Sequence, residues 1–123
     1  MDTVLIVDDS RTIQKQVSQL VLKFYPNYKI ITCSSGEEAM LIIPDIKNQI
    51  AVAIFDFNMN GMTGLELVDK SKSYIDQHRI ILCTANIQEA IQNKAQELGV
   101  HFKEKPLTSD NFREIFEQVL KAA

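Results

Sequence analysis

The chain has 123 residues, 46% of them hydrophobic and 24% charged, a composition suited to one soluble globular domain with a single core. A formal charge of -3 gives no ground for a nucleic-acid surface or an anionic membrane as partner. No apolar run approaches membrane-spanning length, and the N-terminus enters a strand without a basic or leader-like stretch.

Taken in order, Thr3 to Val7 is a continuous apolar run that ends in Asp8-Asp9-Ser10. Such a run reads as a strand buried on both faces. Ser10 is placed to cap a helix whose inner positions are Ile13, Val17, Leu20, Val21 and Phe24, and Pro26 is expected to stop it. Tyr28 to Thr32 is predicted as a second strand, closed by Ser34-Ser35-Gly36. A second helix starts near Glu37, carries Ala39, Met40, Leu41 and Ile43, and is expected to meet its limit at Pro44.

The third strand, Ala51 to Phe55, is unbroken and stops at Asp56. A third helix with Leu65, Leu67 and Val68 follows its loop. Arg79 to Cys83 reads as the fourth strand and ends at Thr84-Ala85-Asn86. The fourth helix presents Ile87, Ala90, Ile91, Ala95 and Leu98, with Gly99 where a C-cap belongs. A short strand at His101 to Lys103 leads to Lys105-Pro106. Ser109 or Asp110 then caps a last helix whose stripe is Phe112, Ile115, Phe116, Val119 and Leu120.

Five strand–helix units in strict alternation predict an α/β fold, a three-layer doubly wound (βα)5 parallel sheet. No glycine-rich phosphate loop follows any strand, which speaks against nucleotide binding of the common types. Cys33 and Cys83 lie in strand-like runs without metal-ligand spacing and are expected to be buried, reduced thiols of a cytoplasmic protein.

The polar residues gather by position. Asp8 and Asp9 follow the first strand, Asp56 the third, Thr84 the fourth and Lys105 the fifth. All stand at carboxyl ends of parallel strands, hence at one edge of the sheet. With strand order 2-1-3-4-5, the first and third strands are neighbours, and the crevice between them is where ligands bind in such sheets. Crowded carboxylates repel, and a hard cation such as Mg2+ relieves them. Two plainer readings stand beside this one: Asp8 and Asp9 could cap the first helix, and Asp56 could simply open a turn.

The set Asp8-Asp9, Asp56, Thr84-Ala85 and Lys105-Pro106 resembles the receiver domain of two-component response regulators. Met59, Met62 and Gly64 also stand where that family's DxxMPxMxG loop places them, and the resemblance spans the whole chain. It implies the flavodoxin-like fold and a phosphorylation-dependent switch rather than an enzyme. By it, Asp56 is the phosphoacceptor, taking a phosphoryl group from a sensor histidine kinase or phosphotransfer protein. Asp9, Asp56 and the backbone carbonyl of Asn58 would hold Mg2+, with Asp8 binding it directly or through water. Lys105 would pair with one phosphoryl oxygen and Thr84 would donate its hydroxyl to another, while Ala85 leaves room.

The resemblance also makes Phe102 the switch aromatic and Lys105-Pro106 a bond that is often cis. Output would pass through the face of the fourth helix, fifth strand and fifth helix to a partner protein. Residues 1–123 would form a single receiver domain with no output domain, as in chemotaxis-type regulators or phosphorelay intermediates. It would be cytoplasmic and either monomeric or a weak phosphorylation-dependent dimer. By the same resemblance Asn58 and Asn86, two residues after Asp56 and Thr84, would flank the path of an attacking water and, being uncharged, would give moderate self-dephosphorylation.

Some features depart from that pattern. Asn60 replaces the loop's usual proline, which puts loop stiffness in question, and Lys103 suggests a short or solvent-facing last strand. His78 and His101 fall at the amino ends of strands and read as surface residues. Asp56, Asn58, Asn60 and Gly61 fit half of a calcium loop, but Leu67 stands where its closing glutamate belongs. The aspartate-nucleophile phosphatase motif fails too, since Asn58 holds its second acidic position. The competing function on the same scaffold is a phosphorylation-independent interaction module or a flavin-type cofactor binder. For the latter, the acidic DDSR loop is the wrong chemistry.

Overall fold

In the computed structural model, which describes residues 1–122, the apolar runs form one five-stranded parallel sheet ordered β2-β1-β3-β4-β5. Its strands are β1 Thr3–Val7, β2 Lys29–Cys33, β3 Ile50–Asp56, β4 Ile80–Thr84 and β5 His101–Glu104. The helices are α1 Arg11–Phe24, α2 Gly36–Ile46, α3 Gly64–Ser71, α4 Glu89–Leu98 and α5 Ser109–Ala122. This is the doubly wound topology expected from the alternation of units.

The three central strands are buried along their whole length, because helices cover both faces of the sheet. Leu5, Val7, Phe55 and Leu82 face Ile43 of α2, Leu67 of α3 and Ala95 of α4. The alternate residues Val4, Ile6, Ile54 and Ile81 face Val17 and Val21 of α1 and Phe112 and Phe116 of α5. The period-two alternation of a strand thus feeds two cores rather than a core and a solvent face.

Several element ends differ from the sequence reading, each for a tertiary or capping reason. Pro44 does not end α2, which continues through it to Ile46. An interior proline costs roughly 3 kcal/mol, an amount that burying Ile43 fully and Ile46 partly can offset. Pro26 acts one residue early: Phe24 is the last helical residue of α1, and the Tyr25 N–H closes the end on the Val21 carbonyl. Arg79 closes a 3-10 turn, Gln77–Arg79, rather than opening β4.

Neither Ser109 nor Asp110 caps α5. Thr108 does, with its Oγ1 accepting from the Asn111 N–H at 3.2 Å while Asn111 Oδ1 accepts from the Thr108 N–H at 2.7 Å. That reciprocal pair is a capping box built with asparagine in place of glutamate. Gly99 takes the left-handed conformation (φ 75°) at the end of α4.

The fourth helix is the least anchored. Of its expected stripe only Ala95 is buried; Ala90 is exposed, and Ile87 lies before the helix and is 45% exposed. Beneath it β5 is four residues long and only half-buried, so little sheet is available to cover. The two histidines are not surface residues. Both are half-buried, and His101 Nε2 donates to the His78 carbonyl at 3.1 Å. Burial holds the His101 imidazole below its ordinary range, the His78 carbonyl only partly opposing it.

Candidate functional site

Parallel pairing of β1 with β3 sets Val7 opposite Phe55, so the residues that follow, Asp8 and Asp56, come out side by side at the carboxyl edge. Both are buried, at 4% and 7% exposure. Asp9 turns outward and is exposed, yet one carboxylate oxygen from each of Asp8, Asp9 and Asp56 falls within 4.8 Å of the others.

Lys105 enters from the far side of the sheet. Its backbone N–H donates to the Thr84 carbonyl at 2.8 Å, continuing the β4–β5 pairing past Glu104, and the Lys105–Pro106 peptide bond is cis. Its ammonium lies 2.8 Å from Asp8 Oδ2 and 2.9 Å from Asp56 Oδ1. Three carboxylates against one ammonium leave the cluster with an excess of negative charge, open to solvent on the Asp9 side.

Burial pushes the Asp56 carboxyl above its ordinary range. The Lys105 hydrogen bond works against that shift, repulsion from Asp8 adds to it, and the Asn58 backbone N–H opposes it again. Burial alone would depress the Lys105 ammonium, but its bonds to Asp8 and Asp56 outweigh it and raise the group, so the cation is secure.

The cluster is a set of hard oxygen donors, two buried and one exposed, with excess negative charge. That is the chemistry a divalent cation such as Mg2+ takes, and these residues fit one.

The hydroxyl of Thr84 is buried and engaged locally. It accepts from the Asn86 N–H at 3.2 Å and lies 3.3 Å from the Asn86 carbonyl. Among the described residues no hydrogen bond joins it to Asp56. Ala85 and Asn58 are exposed. Phe102 is half-buried, level with Leu82 in the pairing of β4 and β5, and packs against the core on the α2–α3–α4 side.

The loop from Asp56 to α3 is held without a proline at position 60. The Phe57 N–H reaches the Cys83 carbonyl at 2.7 Å, Gly64 closes on the Phe57 carbonyl at 3.0 Å, and Met59 is buried. Glu37 of α2 accepts from the Met62 N–H at 3.3 Å. Gly64 has no substitute: a β-carbon there would collide with the Asp56 carbonyl and come within 2.8 Å of Phe57 Cα.

Two polar residues at this edge escaped the sequence reading. Glu37 looked like an ordinary first-turn acid of α2. Gln14 is a buried glutamine on α1, adjacent in sequence to Ile13 and three residues before Val17. Its signal was a polar side chain next to an apolar stripe, visible but unassigned.

Known proteins share this fold. The family model described as response regulator receiver domain matches residues 4–117. A chemotaxis protein CheY homolog of Campylobacter jejuni is 33% identical over 121 residues, covering 94% of this chain and 90% of that protein. Sporulation initiation phosphotransferase F of Bacillus subtilis is 26% identical over 121 residues, covering 97% and 94%. The crystallised chemotaxis protein CheY4 of Vibrio cholerae superposes with a TM-score of 0.82 at 27% identity, covering 98% of this chain and 99% of that one. Two-component response regulators of Arabidopsis thaliana also match, but this chain spans only 28% and 22% of their lengths. A family match running from β1 into α5, on a sheet whose edge gathers three aspartates and a lysine, leads to one conclusion: the chain belongs to the response regulator receiver domains.

Proposed function

We propose that this chain is a phosphorylation-dependent switch in which Asp56 accepts a phosphoryl group from a histidine kinase or phosphotransfer protein. The observation that carries the reading is a carboxylate buried at the end of the central strand with an ammonium 2.9 Å away. Phosphoryl transfer needs an aligned nucleophile and neutralised equatorial oxygens far more than it needs proton transfer. Asp56 Oδ1 is held by Lys105, leaving its other carboxylate oxygen to attack phosphorus. The P–N bond of the donor phosphohistidine breaks as the P–O bond forms, and the imidazole leaves with the electron pair.

Lys105 is placed to turn from Asp8 and Asp56 to a phosphoryl oxygen. Thr84 would leave its turn with Asn86 to donate its hydroxyl to a second oxygen, and exposed Ala85 leaves that side open. Asp8, Asp9, Asp56 and the Asn58 carbonyl would hold Mg2+, which when bound screens the charge between the carboxylates and the incoming phosphoryl group. Asn58 and Asn86 offer only amide contacts to a hydrolytic water, which fits moderate self-dephosphorylation.

Movement of Thr84 would be relayed to Phe102 and to the face formed by α4, β5 and α5. The light anchoring of α4 supports this, since a switch needs states separated by only a few kcal/mol. The readout would be altered affinity for a partner protein in the cytoplasm, made by a single receiver domain acting as a monomer or weak dimer. Among the described residues no helix is long and apolar enough to cross a membrane.

The test is incubation with Mg2+ and a small-molecule phosphodonor. The expected product is an acid-stable, base-labile adduct mapped to Asp56 and absent from Asp56→Asn. An unmodified wild-type chain under those conditions overturns the proposal.

A further inference from the structure

Gln14 is a buried polar side chain on the inner side of α1, and its amide is spent on the edge loops. The two hydrogens of Nε2 are shared among three acceptors, the Asp8 carbonyl at 2.7 Å, the Ser34 hydroxyl at 3.2 Å and the Cys33 carbonyl at 3.3 Å. The Asp8 N–H joins the same knot, donating to the Cys33 carbonyl at 3.1 Å. Asp8 Oδ1 accepts from the Ser10 N–H at 2.9 Å and Oδ2 from Lys105, so the backbone and side chain of Asp8 are held from every side.

The Asp8 carbonyl belongs to the peptide plane that joins Asp8 to Asp9. Pinning that oxygen fixes the plane, and with it the direction in which the exposed Asp9 carboxylate leaves the chain. Asp9 has no ion-pair partner among the described residues, so its aim depends on its backbone. A leucine or methionine would fill the space at position 14 without the cost of desolvating an amide. What the amide adds is directional bonds, the shortest of them to Asp8.

We infer that Gln14 is a positioning residue for the acidic cluster: through the Asp8 carbonyl it aims Asp8 and Asp9 toward Asp56 and so sets the affinity for a divalent cation. The inference rests on the phosphoacceptor reading of the cluster. Outer partners that orient ligands typically shift metal affinity by about 10- to 100-fold when removed.

The experiment compares wild type, Gln14→Met and Ser34→Ala. Mg2+ dissociation constants are taken from amide shifts of the β1–α1 loop, and thermal midpoints are measured without metal. Gln14→Met should weaken Mg2+ binding about tenfold or more, while Ser34→Ala, which leaves the Asp8 bond intact, stays within about twofold of wild type. A Gln14→Met protein that is less stable yet binds Mg2+ as wild type does makes Gln14 a packing residue and overturns the inference. Should that variant not fold, the wild type decides: a scalar coupling across the hydrogen bond from Gln14 Nε2 to the Asp8 carbonyl carbon is expected with and without Mg2+, and its absence overturns the inference. A wild type that binds no Mg2+ is a different failure, since it removes the phosphoacceptor reading itself.

Discussion

Lys105 reaches Asp56 from two strands away: its ammonium leaves the end of β5, crosses β4 and stops 2.9 Å from the carboxylate that ends β3. Neither residue is near the other in sequence, and each is buried enough to need the other. Even so, the pairing does not fully compensate Asp56, whose carboxyl stays above the ordinary range because burial outweighs the lysine bond.

That imbalance has a stability consequence with a definite sign. A carboxyl whose folded pKa exceeds its unfolded value favours the fold when protonated. The metal-free protein therefore loses stability as pH rises from the unfolded carboxyl value, about 4, through the raised folded value. Asp56→Asn has no such titration. In chelator at neutral pH it should melt higher than wild type, with the gap closing toward the acid end of that window. Millimolar Mg2+ should raise the wild-type midpoint and move that of Asp56→Asn much less. Equal midpoints in chelator would contradict the first expectation.

Gly64 tests how tightly the phosphoacceptor strand end is packed. A methyl group there meets the Asp56 carbonyl, Phe57 Cα and Leu82 Cδ1, and two of these are backbone that cannot step aside cheaply. Gly64→Ala should cost about 1–3 kcal/mol in urea unfolding, the usual range for overpacking. Because relief must displace Asp56 itself, the rate of adduct formation should fall as well. A variant destabilised but phosphorylated at the wild-type rate would show that the loop yields elsewhere.

Asn60→Pro addresses loop stiffness. Asn60 is exposed, its N–H makes no backbone hydrogen bond among the described residues, and Gly61 after it takes the left-handed turn (φ 79°). A proline at 60 should stabilise by about 0.4–1 kcal/mol through the unfolded chain, with Asp56 still modified. By contrast Gly61→Ala should destabilise, since its side chain would be strained at that φ and would approach Glu37 Oε2 at 2.6 Å.

The two thiols should be inert in the folded protein. Burial pushes Cys33 up to about 11 and Cys83 up to about 12, so both are protonated at neutral pH. Iodoacetamide should modify Cys83 only at the rate of global unfolding, as followed by mass spectrometry across a urea series. Rapid labelling in native buffer would count against a closed core beneath Asp56.

Much of this protein is local enough to read from the amino-acid sequence. Unbroken apolar runs ending in Asp or Thr marked three of the strands and their carboxyl ends, and alternation with helical stripes dictated a parallel sheet. Once the strands are parallel, Asp8, Asp56, Thr84 and Lys105 must share an edge. Other features depended on contacts between distant segments, and no local pattern reports those. Pro44 stays inside α2 because Ile43 is buried and Ile46 partly buried beside it, and α4 buries little because β5 gives it a short platform. The same holds for Gln14, which is an unremarkable glutamine in sequence. Only the folded chain brings the Asp8 and Cys33 carbonyls, at the ends of two neighbouring strands, to within reach of one amide, where withdrawal from water makes those bonds count.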